Sequence, residues 1–468
     1  MAQTDSRRLP VIDGAYLHLE SPATPMHVGS LQIFSIPDGA PGSLVADIVA
    51  AYRASSDLVA PFNLRLVHGP TTRAFPAVVP AESIDMEYHV RHTALPAPGG
   101  ERQLGELISY LHGVTLDRSR PLWTCHVIEG LSDNRFAIYT KIHHALTDGV
   151  NGVRMCGNAL ADTPAGPSTA PWHNHRTVEH TAHVARKPAG LGPAEWARSL
   201  SAGVSGLLIR RGSDAVRRPF DAPTSVLNLP VTGARRVATQ QVELARMQEV
   251  ARLADVSVND VFLAVCSGAL RRHLLDEDVL PEAPLISGVP VSLRYEGEEG
   301  GNAAGMVWAS LATDIADPMT RLKAINVSSS AAKNHLRSMP LPVRRLFTVL
   351  TAMPVTAVLI TGLGATRRPP MNLIISNVPG PDRTKYLRGA RLEALYPISL
   401  PGRGQALNIT SISYAGQFNI GFTGARDNLP HLQRLAGYTA DALAELEAAL
   451  PQGSAPRRRG RANTDHRA

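Results

Sequence analysis

The residues of this sequence best suited to chemistry are His143, His144, Asp148 and Gly149, in the run His143-His144-Ala145-Leu146-Thr147-Asp148-Gly149. A histidine with its ordinary pKa of about 6.5 is largely neutral at physiological pH and can take a proton from a hydroxyl, which suits it to acyl transfer onto an alcohol. Such a reaction needs no covalent enzyme intermediate. The sequence contains no G-x-S-x-G elbow, no G-x-x-x-x-G-K-[ST] loop and no H-E-x-x-H pair, so the chemistries those patterns carry are not supported. A bare histidine pair more often satisfies core or edge hydrogen bonds. The full H-H-x-x-x-D-G pattern is more informative, being expected by chance only about 0.002 times in such a chain.

Certain elements must position this run. Trp123 to Gly130 alternates like a strand, Leu131-Ser132-Asp133-Asn134 offers turn chemistry, and Arg135 to His143 alternates again, which predicts a β-hairpin ending at the histidines. Neighbouring strand residues point to opposite faces, so only one of the two histidines can enter a site directly from a regular strand. Asp148-Gly149 then turns the chain, glycine permitting a positive φ, ahead of a helix carrying Val150, Val153, Met155 and Leu160.

The chain has 468 residues, 44% hydrophobic and 19% charged, with a net charge of +7. That composition disfavours wholesale disorder, a collagen repeat and a polytopic membrane protein, and the length leaves ample material for a large core. The charge is uneven. Residues Ala161 to Arg236 hold ten Lys/Arg against five Asp/Glu, and five Arg against one Asp follow Pro451, while the remainder is close to neutral. A general nucleic-acid cleft is therefore not expected. Cys125, Cys156 and Cys266 show no CxxC spacing, which argues against a disulfide framework and a zinc site and fits a reducing compartment. His173, His175, His180 and His183 lack a carboxylate or cysteine at ligand spacing and read as solvated, so no metal is expected. Asp13, His18 and Glu20 break any secretory apolar run, which places the protein in the cytoplasm.

The expected organisation is an N-terminal half over 1–161, a Pro-, His- and Gly-rich crossover linker over 162–236, a C-terminal half over 237–451 and a basic tail over 452–468. Each half mixes helices with β-rich stretches, as an α/β protein does. Within the linker, residues 194–211 space Trp196, Leu200, Val204 and Leu207 as a weakly amphipathic helix. Leu346 to Ala365 is 20 residues without a charge, but Pro354, Gly362 and Gly364 interrupt it and arginine pairs flank both ends. It reads as a buried or interfacial helical hairpin rather than a span.

The histidine run resembles the H-H-x-x-x-D-G signature of the bacterial wax ester synthase/acyl-CoA:diacylglycerol acyltransferases. The resemblance extends to Pro25-Met26-His27-Val28-Gly29, Arg120-Pro121-Leu122-Trp123, Asn259-Asp260, Ile375-Ser376-Asn377-Val378-Pro379-Gly380-Pro381 and Leu407-Asn408-Ile409-Thr410. It implies two chloramphenicol-acetyltransferase-like α/β halves, each of mixed β-sheet and helices, with an active-site tunnel at their interface. It also implies a long-chain acyl-CoA and a fatty alcohol or diacylglycerol as substrates, no cofactor, and peripheral contact with the inner face of the membrane or lipid droplets. Carried over residue by residue, His144 is the general base, His143 supports it, and Asp148 is structural, paired with an arginine of the other half for which Arg294 is the best match. Two other readings are a carrier-protein-dependent condensation-type acyltransferase and a non-enzymatic lipid-droplet-binding protein.

Three further segments carry two readings each. Ser257 and Asp260 form a helix-capping pattern, which assigns Asp260 to the cap, while Asn259 either follows it structurally or faces the tunnel. Ser376 and Asn377 end an apolar strand and either donate to a thioester oxyanion or shape a turn. Trp123 reads as a core tryptophan at a strand start.

Overall fold

The computed structural model describes residues 6–69, 72, 74–147, 149–173, 216–292, 304–337, 339, 355, 358 and 369–450. Asp148, Arg294, His175, His180, His183, the 194–211 helix, nearly all of 346–365 and the tail over 452–468 lie outside the described residues.

The N-terminal half runs β1 (Arg7–Arg8), α1 (Val11–Leu19), β2 (His27–Ser35), α2 (Leu44–Arg53), β3 (Leu64–Leu66), β4 (Ala77–Pro80), α3 (Met86–His89), β5 (Val90–Ala94), α4 (Glu101–Gly113), β6 (Trp123–Leu131), β7 (Arg135–His143) and α5 (Gly149–Asn158). After the linker come β8 (Arg235–Glu243), α6 (Leu244–Ala254), α7 (Val258–Asp276), β9 (Ile286–Ser292), β10 (Ala304–Ser310), α8 (Pro318–Arg337), β11 (Leu373–Val378), β12 (Tyr386–Leu387), β13 (Ala390–Ile398), β14 (Leu407–Tyr414), β15 (Gln417–Ala425) and α9 (Leu432–Ala448).

Two six-stranded mixed sheets carry the architecture, in the orders β12-β13-β2-β7-β6-β5 and β10-β9-β11-β14-β15-β8. Residues of the C-terminal half thus complete the N-terminal sheet: β13 pairs antiparallel with β2 from Arg391↔Ser35 to Ile398↔Gly29. Where the sheets meet, a Cβ at Gly421 would fall 1.9 Å from the Pro397 carbonyl oxygen, so only glycine fits. One apolar core, around Phe262, Leu263 and Phe422, fills the C-terminal half, and another, around Trp123, Phe136 and Phe34, fills the N-terminal half.

The predicted hairpin is present. Its connection places Asp133 and Asn134 at φ of 61° and 53°, a conformation these two residue types tolerate better than most. Strand β7 is buried on both faces: Phe136, Ile138 and Ile142 enter the N-terminal core, while Ala137 and Tyr139 pack with Ile108 of α4 and Val237 of β8. Trp123 is fully buried and its indole N–H donates to the Phe62 carbonyl at 2.7 Å, which makes it the core residue its position suggests. At α7, Ser257 Oγ accepts from the Asp260 N–H and the Asp260 carboxylate accepts from the Ser257 N–H, each at 3.2 Å, forming the capping box.

Among the described residues no single helix is long and apolar enough to cross a membrane. The bent pair α6 and α7 meets length and composition requirements only jointly, across a 104° break, and most of α7 lies in the protein core.

Candidate active site

His143 ends β7 and His144 follows it, and their backbone is tied to the residues just before β6 and β2. The His143 N–H donates to the Leu122 carbonyl at 2.9 Å and the His144 N–H to the Met26 carbonyl at 2.8 Å, while Leu146 N–H closes a turn onto the His143 carbonyl at 2.9 Å. His143 is the last strand residue and is fully buried; His144 begins the turn and is partly exposed.

That difference separates their chemistry. His143 Nδ1 accepts a hydrogen bond from the Ala145 N–H at 3.0 Å, which leaves Nε2 as the nitrogen that can carry a proton. Nε2 lies 3.4 Å from Glu20 Oε1, an electrostatic contact rather than a well-aligned hydrogen bond. With one nitrogen occupied as an acceptor and the other facing a carboxylate in the interior, His143 is committed to holding the turn. The His144 ring instead stacks on Tyr16, with centroids 4.1 Å apart and planes 19° from parallel.

Glu20, the residue that ends α1, links these parts. Oε1 accepts from the Met26 N–H at 3.2 Å, and Oε2 accepts from Arg118 Nε and Nη2 at 3.1 and 3.0 Å. Arg118 Nη2 also donates to the Leu17 carbonyl at 2.6 Å, closing the brace back onto α1. Burial alone would raise the Glu20 pKa, but the contacts from His143, Met26 and Arg118 outweigh it and hold the carboxyl below its ordinary 4.5. Arg118 and Tyr16 were not singled out in the sequence, and Glu20 only as a break in an apolar run. The available signal was the four-residue spacing of Tyr16 and Glu20 at the end of a helix that also carries Asp13 and His18, and their partners lie about a hundred residues away.

A second buried polar set lies under the same sheet ends. His27, the register partner of His143, bonds through Nε2 to the His112 carbonyl at 2.9 Å; His112 bonds to Tyr139 Oη and to the Ser399 carbonyl, both at 2.7 Å. Burial, with the positive charge of Lys141 next in importance, pushes His112 down to about 3 and His27 well below 6.5, so both stay neutral. Lys141 Nζ donates to the Leu111 and Val114 carbonyls at 2.7 and 2.6 Å, satisfying the end of α4, and burial lowers its pKa to about 7. His112 thereby joins the N-terminal sheet to the connection between β13 and β14.

Gly149 departs from the expected turn role. It is the first residue of α5, with no left-handed φ, and a Cβ placed there would meet nothing within 4 Å. Residues 144–146 make a turn, and Gly149 begins the helix. Gly149 lines one end of a very small cavity with Val28, Ser30, Thr140 and Val153.

The remaining candidates sit in the C-terminal half. Asn259 is in the first turn of α7, partly buried, with its amide nitrogen enclosed and unpartnered. Asp260, beside it, also accepts from Asn326 at 3.0 Å and from Ser329, tying α7 to α8. Ser376 and Asn377 lie on β11, where Ser411 Oγ bridges to the Ser376 carbonyl at 3.4 Å and Asn377 Oδ1 at 3.2 Å. The Gly380 N–H meets Ser413 Oγ at 3.2 Å, and a Cβ on Gly380 would lie 2.2 Å from the Ser413 carbonyl oxygen. These bonds tie β11 and the residues that follow it to β14.

Burial raises the thiol pKa of Cys125 to about 12 and of Cys156 to about 11, and raises that of Cys266 as well. A thiolate nucleophile is thus disfavoured at all three free cysteines.

The chain is similar to known proteins along most of its length. Residues 9–262 match the wax ester synthase/diacylglycerol acyltransferase catalytic domain, and residues 300–447 match the WS/DGAT C-terminal domain. The O-acyltransferase WSD of Acinetobacter baylyi is 37% identical over 457 residues, covering 95% of this chain and 98% of the relative. The solved wax ester synthase/diacylglycerol acyltransferase from Marinobacter aquaeolei VT8 is 37% identical with a TM-score of 0.78, covering 94% of this chain and 99% of that one. A starter condensation domain of rhizomide synthetase, 10% identical with a TM-score of 0.58, shares the fold alone. With two domain models matched over most of its length and relatives aligned nearly end to end, the chain belongs to the wax ester synthase/diacylglycerol acyltransferase family.

Proposed function

We infer that the protein transfers a long-chain acyl group from acyl-CoA to the hydroxyl of a fatty alcohol or a diacylglycerol, with His144 as the general base. The observation that carries this reading is the division between the two histidines: His143 is buried, with Nδ1 accepting from the Ala145 N–H and Nε2 facing Glu20, whereas His144 is partly exposed on a braced turn. A ring nitrogen of His144 takes the alcohol proton as the oxygen attacks the thioester carbonyl. The oxyanion collapses, expels the CoA thiolate, and the proton returns through His144 to give free CoA. The thioester is already activated and imidazole supplies the base, so the step asks for no resident metal or cofactor. In this reading Asp148, paired with Arg294, fixes the far end of the turn, and Asn259, Ser376 and Asn377 border the substrate tunnel between the halves.

Purified protein supplied with palmitoyl-CoA should release CoA only when hexadecanol or a diacylglycerol is added, measured by thiol titration. Activity confined to carrier-bound acyl groups would instead favour the condensation-type reading that the shared fold allows. Because both acceptors are nearly insoluble in water, we further propose peripheral attachment at a lipid surface through the basic segment 161–236 and the uncharged run 346–365. The protein should float with anionic liposomes at low salt, partly dissociate at high salt and need no detergent for release. Release by detergent alone would mean insertion.

A further inference from the structure

Tyr16 and Glu20 stand four positions apart at the end of α1, a spacing that brings side chains to one helix face. Each meets one of the tandem histidines, Glu20 facing His143 and Tyr16 stacking on His144. Helix α1 therefore sorts the pair: a carboxylate for the histidine that holds the turn, an aromatic face for the one that does chemistry. Arg118 secures this end of the helix through both Glu20 and the Leu17 carbonyl, so the Tyr16 ring is presented from a fixed support.

We propose that Tyr16 is a positioning residue for acyl transfer, its ring setting the plane of the His144 imidazole and favouring the imidazolium that forms as the alcohol proton is taken. The inference rests on the assignment of His144 as the base. Two physical effects act together. A parallel ring 4.1 Å away excludes most rotations about the terminal torsion of His144, which is otherwise broad. The electron-rich face of the phenol ring also attracts a cation over it, so the stack gains strength when the imidazole becomes charged. An interaction that strengthens as charge develops raises kcat rather than substrate affinity.

Tyr16→Leu should lower kcat about tenfold, the scale expected for losing a stacking contact of this kind together with its orientation. KM for acyl-CoA and acceptor should stay within about twofold, and the melting temperature close to wild type. Tyr16→Phe, which keeps the ring, should restore kcat to within about twofold. In a His144→Ala background, Tyr16→Leu should have almost no further effect, because the ring acts through His144. If leucine disturbs α1, Tyr16→Met serves the same comparison with an unbranched helix former.

Wild-type kcat in the folded Leu or Met variant would overturn the proposal, as would a Phe variant as impaired as Leu, or an undiminished loss in the His144→Ala background. A His144→Ala enzyme of near-wild-type turnover would instead remove the assignment of the base on which it rests.

Discussion

His144→Ala lowers turnover by about 10² to 10⁴, the usual share of a positioned general base, while the protein melts near the wild-type temperature. The side chain is partly exposed at a turn whose backbone bonds do not depend on its ring, so little stability is lost. His143→Ala behaves differently. It removes a fully buried ring whose Nδ1 accepts from the Ala145 N–H and whose other edge faces Glu20. Leaving those groups unpaired in the interior costs stability first and activity through the displaced turn. Steady-state kinetics and thermal melts of the two variants separate the roles: equal losses in kcat with unchanged melting for both would mean that the two histidines share the proton chemistry.

Glu20→Ala has the largest expected effect on stability. The carboxylate side chain is only 4% exposed and takes bonds from Met26 and Arg118 besides facing His143. Breaking a buried pair typically costs 3–5 kcal/mol, and because Arg118 is 42% exposed and can rehydrate, about 3 kcal/mol is expected here. The sign of the pH dependence follows from the depressed pKa. Glu20 contributes its full stabilisation above its ordinary 4.5 and loses it as pH falls through the lower folded value. Denaturant unfolding of wild type and Glu20→Gln should therefore show a clear gap at pH 7 that narrows as the solution is acidified below pH 4.5. A gap of the same size at both ends would show that the charge of Glu20 is not what holds the turn.

The hairpin, its turn and the capping box were legible because each is written locally. Strand alternation, two residues that tolerate positive φ and a Ser-x-x-Asp step need only neighbours to interpret. The histidine run was legible as chemistry, and strand alternation alone already separated His143 from His144. The brace behind it was not, because Glu20 and Arg118 are 98 positions apart and no periodicity connects them. The same holds for β13, whose pairing with β2 joins residues more than 350 apart and carries the C-terminal half into the N-terminal sheet. A division of the chain at the linker therefore describes the order of the sequence, while the sheets interleave the halves. Gly149 was misread for a different reason. Glycine after aspartate signals a turn in general, but here residues 144–146 make a turn and the glycine begins a helix.

The most direct test of the account is the fate of the acyl group. Purified protein incubated with acyl-labelled acyl-CoA, first without acceptor and then with a fatty alcohol, can be quenched and resolved into protein, ester and free CoA. The predicted result is no label on the protein before acceptor is added, followed by ester and CoA in equal amounts, with His144→Ala producing both about 10² to 10⁴ times more slowly. Stoichiometric label on the protein that passes to ester when alcohol arrives would contradict direct transfer by a histidine base.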